Sequence, residues 1–366
     1  MKAVYSITGQ DGDITYAIAE RFIGLTLVDQ LGYSNDRFSV SLDDRNQTFS
    51  FPKRGENLAV KIGYDDTTSM VVPHGLIDMG SYVLDELEWS SDPDTLIFTC
   101  HAADSNGRFK TLRNKSFHDT TIKAIVEDCA DFCDFTPSIE SHFESVKVKH
   151  EDQINQSCMD FLRELGNRYG GVAKIQSKGG KAKKNGKDEE KTQLLFYRPD
   201  NGKVVNPSII PVREVKLSRT NLRSIVYTLP SKGVYGNVVA YYHDRDGSKS
   251  YGMVEFKRSQ VNVADDEIDK VKPVSEKTLP GIYANREEAF EAAQSHMRAL
   301  ALGEAALTFV SIGDARIKSE SDVLIDNLRK GIPSKWRVVR VTHRIDSAGA
   351  FVTSCECELP ENKKES

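Results

Sequence analysis

The chain has 366 residues, 39% hydrophobic and 28% charged, with a formal net charge of −5 at pH 7 and a pI near 6.0. That length exceeds one typical core and predicts two or three domains, while the mildly acidic balance argues against a dedicated nucleic-acid binder, which carries a basic excess. No apolar run approaches the roughly 18 residues that span a bilayer, and Met1-Lys2-Ala3-Val4-Tyr5-Ser6, soon followed by Asp11 and Asp13, lacks the parts of a secretory signal, so folding in the cytosol is expected.

From Ile14 to about Cys100 the pattern is one of short strands between turns. Phe22–Val28 and Arg37–Leu42 read as strands, the second alternating cleanly; Asp43–Asn46 is a turn, and Leu58–Tyr64 is a further strand. Short strands at this spacing indicate a barrel or sandwich. A hairpin follows, Val83–Trp89 returning as Leu96–Cys100 around Ser90–Asp94.

The period then changes. Ile122, Ile125, Val126, Cys129, Ala130 and Cys133 mark an amphipathic helix capped by Asp119 or a nearby Ser or Thr, and Pro137 closes that region. Cys158, Phe161, Leu162, Leu165 and Tyr169 share one face of a second helix that stops at Gly170-Gly171. Ile175 and Leu194–Tyr197 read as strands flanking the lysine-rich loop Ser177–Lys191, a solvated tip with almost nothing to bury, or else a contact for DNA or an acidic partner.

Strands resume near Val212, and Val238–His243 returns through Tyr251 to Phe256 around a turn at Asp244–Gly247. Val261 to Pro280 is charged, weakly periodic and expected as a connector. Asn285 with Glu288 predicts a capping-box start for a helix over about 285–302, with Phe290, Ala293, Met297, Leu300 and Ala301 inward. Strand Ala306–Ile312 and a terminal hairpin, Trp336–His343 returning through Phe351 to Cys355 and Cys357, precede the polar tail 361–366.

Searching for chemistry yields little. No phosphate-binding Gly loop, Gly-x-Ser-x-Gly elbow or His-Glu-x-x-His pair is present. The eight histidines (74, 101, 118, 142, 150, 243, 296 and 343) have no spacing that forces a shared site, and His150 suits a cap or interdomain contact better than a base. The pairs Cys129/Cys133 and Cys355/Cys357, with Cys100 and Cys158 isolated, read as core packing rather than zinc ligands. Trp89 and Trp336 lie at hairpins, where they pack or anchor interfaces. No catalytic, cofactor or metal residue is assigned. The two hairpins look like variations on one β-module, so three chains would present six, which suits a symmetry adaptor better than an enzyme.

One succession of segments goes further. Trp89-Ser90-Ser91-Asp92, Phe98–Asp104 and Leu112–Ser116 lead to Thr121-Ile122, Ile125-Val126 and His150–Gln153. Asp160-Phe161-Leu162, Tyr169-Gly170, Trp336, Val341-Thr342-His343 and Gly349–Thr353 complete it. Over roughly residues 80–358 the chain resembles the phage late control protein D family, baseplate hub proteins of contractile tails, related to the hub part of type VI secretion spike proteins. It departs at Ile154–Cys158, where many relatives carry a Glu-Ser/Thr-Asp type sequence, and at the lysine-rich loop, which looks like an insertion.

The resemblance implies an α+β chain: two tube-type β-barrel domains, 1–108 and 212–360, around an α/β middle domain, 109–211. It implies a non-enzymatic homotrimer joining a hexameric tail tube to a trimeric spike. Tape measure and baseplate wedge proteins are further candidate partners, genome DNA would only pass through, and no membrane is involved. The expected place is the virion baseplate, after assembly in the host cytoplasm. Two other readings stay open. A type VI spike would continue into a needle beyond Ser366, and a tail-tip peptidoglycan hydrolase would need a cleft carboxyl of raised pKa.

Overall fold

The computed structural model describes residues 2–9, 12–32, 36–47, 49–53, 55–65, 75–102, 108–176, 193–198, 214–229, 235–243, 252–257, 275–303 and 305–360. The lysine-rich loop, the 244–247 turn and the tail lie outside them.

The first third is β1 (Ala3–Gly9), β2 (Gly12–Asp13), α1 (Thr15–Ala19), β3 (Phe22–Gln30), β4 (Arg37–Asp43), β5 (Asn57–Tyr64), β6 (Gly75–Ser91) and β7 (Asp94–Ala102). Strand alternation sets its core: Leu25 and Leu27 of β3 and Phe38, Val40 and Leu42 of β4 are all at most 2% exposed, with Thr26, Ser39 and Ser41 between them facing away. The β6–β7 hairpin forms where expected, but tighter, since both strands run on to Ser91 and Asp94 and leave Asp92-Pro93 as the turn.

The middle comprises β8 (Leu112–Thr121), α2 (Ile122–Cys133), β9 (Thr136–Ile139), α3 (Ser141–Glu144), β10 (Lys147–Ser157), α4 (Cys158–Tyr169), β11 (Val172–Gln176) and β12 (Gln193–Tyr197). Thr121 caps α2, its hydroxyl accepting from the Ala124 N–H at 3.3 Å. Gly170 ends α4 at φ +71°, a left-handed step that glycine takes without steric cost. The apolar stripes of both helices meet in one core, where Cys158, isolated in sequence, joins Cys129 and Cys133.

The last part holds β13 (Glu214–Ser218), β14 (Leu222–Thr228), β15 (Tyr235–Tyr242), β16 (Gly252–Lys257), β17 (Ser275–Tyr283), α5 (Arg286–Leu302), β18 (Ala306–Ile312), β19 (Asp322–Asp326), β20 (Lys335–Asp346) and β21 (Phe351–Glu358). Two expectations need correction. The end of the presumed connector is β17, which pairs in parallel with β15; a charged edge strand buries too little to show a period. The buried stripe of α5 is Ala289, Ala292, Ala293, Met297, Ala301 and Leu302, whereas Phe290 is 38% exposed and meets the Phe256 ring edge-on. Small alanines, not the aromatic, face the strands because the helix lies close to β15 and β16. Gly313 answers a similar constraint: a Cβ there would lie 2.0 Å from the Phe351 ring.

Thirteen strands join in one sheet whose path runs β14-β18-β21-β20-β3-β4-β7-β6-β5-β1-β2, with β19 on β20 and β13 on β19. Two four-stranded modules lie in tandem along it, β14-β18-β21-β20 and then β3-β4-β7-β6. Their registers match. One cross-strand row reads Leu27, Phe38, Cys100, Leu84, and the other Tyr227, Leu307, Cys357, Val338. Register shifts recur at the same steps, Phe22/Gly24 and Leu222/Ser224 in the first strand, Leu84/Glu86 and Val338/Arg340 in the last. Such irregularities set local bend and twist, so the likeness of the two hairpins extends to four strands each.

Candidate functional site

The two modules meet where β3 pairs antiparallel with β20, Asp29 opposite Val341, Leu27 opposite His343 and Leu25 opposite Ile345. This joint is dry. Leu25, Leu27, Val341, His343 and Ile345 are each at most 2% exposed. His343 Nε2 donates to the Ile317 carbonyl at 3.1 Å, so Nδ1 is free to accept from the Thr353 hydroxyl at 2.9 Å. Burial lowers its pKa to about 4, which keeps the ring neutral.

A polar clamp from four separate stretches of chain covers the joint. Lys174 of β11 reaches Ser319 Oγ at 2.8 Å, Asp29 Oδ1 of β3 at 3.3 Å and Glu320 Oε1 at 3.4 Å. The Ser319 N–H donates to Asp29 Oδ2 at 2.9 Å, and the Tyr197 hydroxyl of β12 donates to Glu320. Burial would raise the Asp29 carboxyl, but the Lys174 ammonium and the Ser319 donors outweigh it and hold it at about 2. Lys174 is pushed well above its ordinary value: burial opposes the charge, and Asp29 and Glu320 overcome it. The middle of the chain is thereby seated on the seam between the modules.

Asp36 is the exception, raised to about 7 by burial and then by the neighbouring Asp29 charge, although the Gln30 N–H donates to it at 3.1 Å. A raised carboxyl destabilises the fold as pH climbs from the unfolded value towards the folded one. Asp36→Asn should therefore match the wild type below about pH 4 and exceed it above pH 7, by roughly 1–3 kcal/mol at pH 8. Urea midpoints across that range check this, and a variant less stable at pH 8 would contradict it.

The residues singled out from sequence fall into three groups. Trp336 is fully buried, whereas Trp89 is 46% exposed on β6. All six cysteines are buried, and none forms a disulfide. His150 is neither cap nor interdomain contact: it sits on β10 directly opposite His118 of β8, with the two Nδ1 atoms 3.0 Å apart and Asp152 3.0 Å from its Nε2. Among the described residues, no group of three or more His, Cys, Asp or Glu side chains is arranged to hold a metal. A cleft of about 890 Å³ lies between β8, β10 and the start of α5, lined by Tyr169, Glu287, Glu288 and Glu291 among others. Glu288 serves the helix start there, taking the Ala284 N–H at 3.2 Å while its own N–H donates to Asn285. Among the described residues, the carboxyls raised by burial are Asp36 and Glu151, and neither lines it.

What the geometry offers is strand edge. The outer edge of β14 is unpaired among the described residues, and β6 pairs with β5 only up to Val83, leaving the same edge open over Glu86–Ser91. Val226, Leu229 and Trp89 on these edges are 59%, 49% and 46% exposed. Open edges of this kind carry unpaired backbone donors and acceptors with which another strand can pair.

No family model matches the chain. A protein of Escherichia phage 186, described as a probable baseplate hub protein, is 27% identical over 383 residues, covering 97% of this chain and 92% of that one. Its counterpart from Escherichia phage P2 gives 27% over 382 residues with the same coverage. Over nearly its whole length the chain is thus similar to phage baseplate hub proteins. In fold the chain is similar to the 43 kDa tail protein of prophage MuSo2 from Shewanella oneidensis, with a TM-score of 0.65 at 11% identity over 97% of this chain and 98% of that one. An Escherichia coli protein described as a component of the type VI secretion system gives a TM-score of 0.53 at 13% identity, over 94% and 74%. No helix of the chain, among the described residues, is long and apolar enough to cross a membrane.

Proposed function

We propose that this chain is the structural hub of a contractile tail. Three copies close into a ring that receives the hexameric tail tube on one face and the trimeric spike on the other. The observation that carries this reading is the tandem module pair within one sheet, β14-β18-β21-β20 and β3-β4-β7-β6. A chain holding two like modules is threefold by copy number and close to sixfold by shape, which is what joining the two symmetries requires. In this reading 1–108 and 212–360 are the two tube-type barrel domains and 109–211 is the middle domain, fastened at the seam by Lys174 and Tyr197. The hub is non-enzymatic, assembles in the host cytoplasm and lets the genome pass, for which a net charge of −5 is suited because it does not grip phosphate.

Light scattering of the protein alone and mixed with its spike protein tests the ring. A mass near three times 40.9 kDa alone, or that mass plus a spike trimer in the mixture, is the expected result. A monomer that ignores the spike would remove the symmetry argument. Incubation with purified cell wall tests the non-enzymatic part, and release of soluble fragments would overturn it.

A further inference from the structure

We infer that His118 and His150 form a two-imidazole site for a late first-row divalent cation, copper(II) or nickel(II) ahead of zinc, on the outer face of the β8–β10 ribbon. The site stands apart from the ring reading, which makes no use of it.

Strand period places the donors. His118 of β8 stands directly opposite His150 of β10, with Phe117 opposite Glu151 and Ser116 opposite Asp152. Side chains two apart share a face, so both imidazoles, Ser116 and Asp152 lie on one side of the ribbon. The pair between them points the other way and holds the strands: Phe117 stacks on Phe161 of α4 with centroids 5.8 Å apart, and Glu151 pairs with Arg168 of α4. The histidines are thus presented from a packed backbone, yet both are exposed, the His150 side chain to 54%, so an ion can reach them.

The ring geometry is that of a chelate. The two Nδ1 atoms are 3.0 Å apart while the ring centroids are 4.6 Å apart, so each ring turns its Nδ1 edge toward the other. An ion bound to both nitrogens at about 2.0–2.1 Å would hold them at roughly 90° to one another. That is a cis pair in square-planar or octahedral coordination, which copper(II) and nickel(II) favour. The wider tetrahedral angle of zinc needs nitrogens further apart.

Asp152 sets the tautomer. Its Oδ2 lies 3.0 Å from His150 Nε2, so Nε2 carries the proton and donates, which leaves the Nδ1 lone pair facing His118. A carboxylate on the outer nitrogen of a metal-binding histidine orients the ring and strengthens it as a ligand. Asp152 therefore supports the site from behind and is not a third ligand; water completes the coordination. Without an ion, His118 Nδ1–H donates to His150 Nδ1. With one, the His118 proton sits on Nε2 and both lone pairs face the metal. An ion held from both strands staples the ribbon whose inner residues, Phe117 and Val148, belong to the middle core.

Titration calorimetry with nickel(II) chloride, on the untagged full-length chain stripped with EDTA and dialysed, tests the site. One ion per chain is expected, with zinc binding more weakly. His118→Gln and His150→Gln should each weaken nickel binding at least about tenfold, because a single imidazole remains. Asp152→Ala should keep the stoichiometry and weaken binding roughly tenfold. His142→Gln, at a histidine 3.6 Å from Glu291 instead, should change nothing. Saturating nickel(II) should raise the urea midpoint of the wild type and not of either His118→Gln or His150→Gln. Electron paramagnetic resonance of the wild type with one equivalent of copper(II) should show two imidazole nitrogens on the metal, whatever the variants do. No binding, a copper spectrum with one nitrogen, or nickel affinity untouched by His118→Gln would overturn the site and leave a hydrogen bond between two strands.

Discussion

Lys174→Ala should lower the stability of the chain by roughly 3–5 kcal/mol, because it strands buried carboxylates without their cation. Asp29 and Glu320 are 7% and 8% exposed, so water cannot replace the ammonium. The loss should reach beyond the local fold, since Lys174 lies 145 residues from Asp29 in sequence and ties the middle of the chain to the seam. Chemical denaturation read at two probes, one in the middle core and one in the sheet, checks it. The wild type should unfold in a single transition, and the variant at a lower denaturant concentration with the middle core leading. A change of less than about 1 kcal/mol would mean that the clamp is ornamental. Removing the charges together, as Lys174→Met with Asp29→Asn and Glu320→Gln, should recover much of the loss.

The pH dependence has a definite sign. Asp29 is depressed from 3.8 to about 2, so the stability it contributes is fully present above pH 4 and lost as pH falls through 2. The gap between wild type and Lys174→Ala should close over that window. Asp36 works in the opposite direction and at higher pH, which lets the two carboxyls be told apart.

Trp336→Ala should cost a further roughly 3–5 kcal/mol in its own right, the range for emptying a large aromatic site in a packed core. Trp336 is fully buried, its Nε1 donates to the Pro333 carbonyl at 2.7 Å, and its ring meets that of Tyr227 edge-on with centroids 5.9 Å apart. The last contact links core to edge: Tyr227 belongs to β14, whose outer edge is open. Loss of the indole should thus lower the urea midpoint and also loosen that edge, because β14 loses its backing. Trp336→Phe keeps most of the apolar volume and forfeits the hydrogen bond, so it should cost only about 1–2 kcal/mol. Equal losses for the two variants would show that the hydrogen bond, not the packing, carries the effect.

Much of this fold is written in short-range pattern. The 3.6-residue stripe of α2, the stripe of α4 closed by Gly170, and the alternation of β3 and β4 each follow from which side must face a core. Both hairpins were visible because a turn and two alternating strands are neighbours in sequence. The ribbon of β8 and β10 was not, since it leaves Leu112 and Ile154 in water at 57% and 68% exposure and imposes little alternation. Phe290 misled for a related reason: apolarity marks a face only when helix spacing leaves room for the ring.

The seam lay beyond sequence altogether. Nothing in Val341 or Asp29 announces that they stand opposite each other, because strand pairing is made by backbone groups that every residue carries. Lys174, Asp29 and Glu320 are unremarkable charges until three distant stretches converge and exclude water from them. Sequence by itself determined those elements and buried faces that carry a clear period of two or 3.6. Tertiary structure alone decided that β3 lies beside β20, that the modules follow one another in one sheet and that two edges are left open, since edge-to-edge partners are chosen by non-local geometry rather than by local pattern.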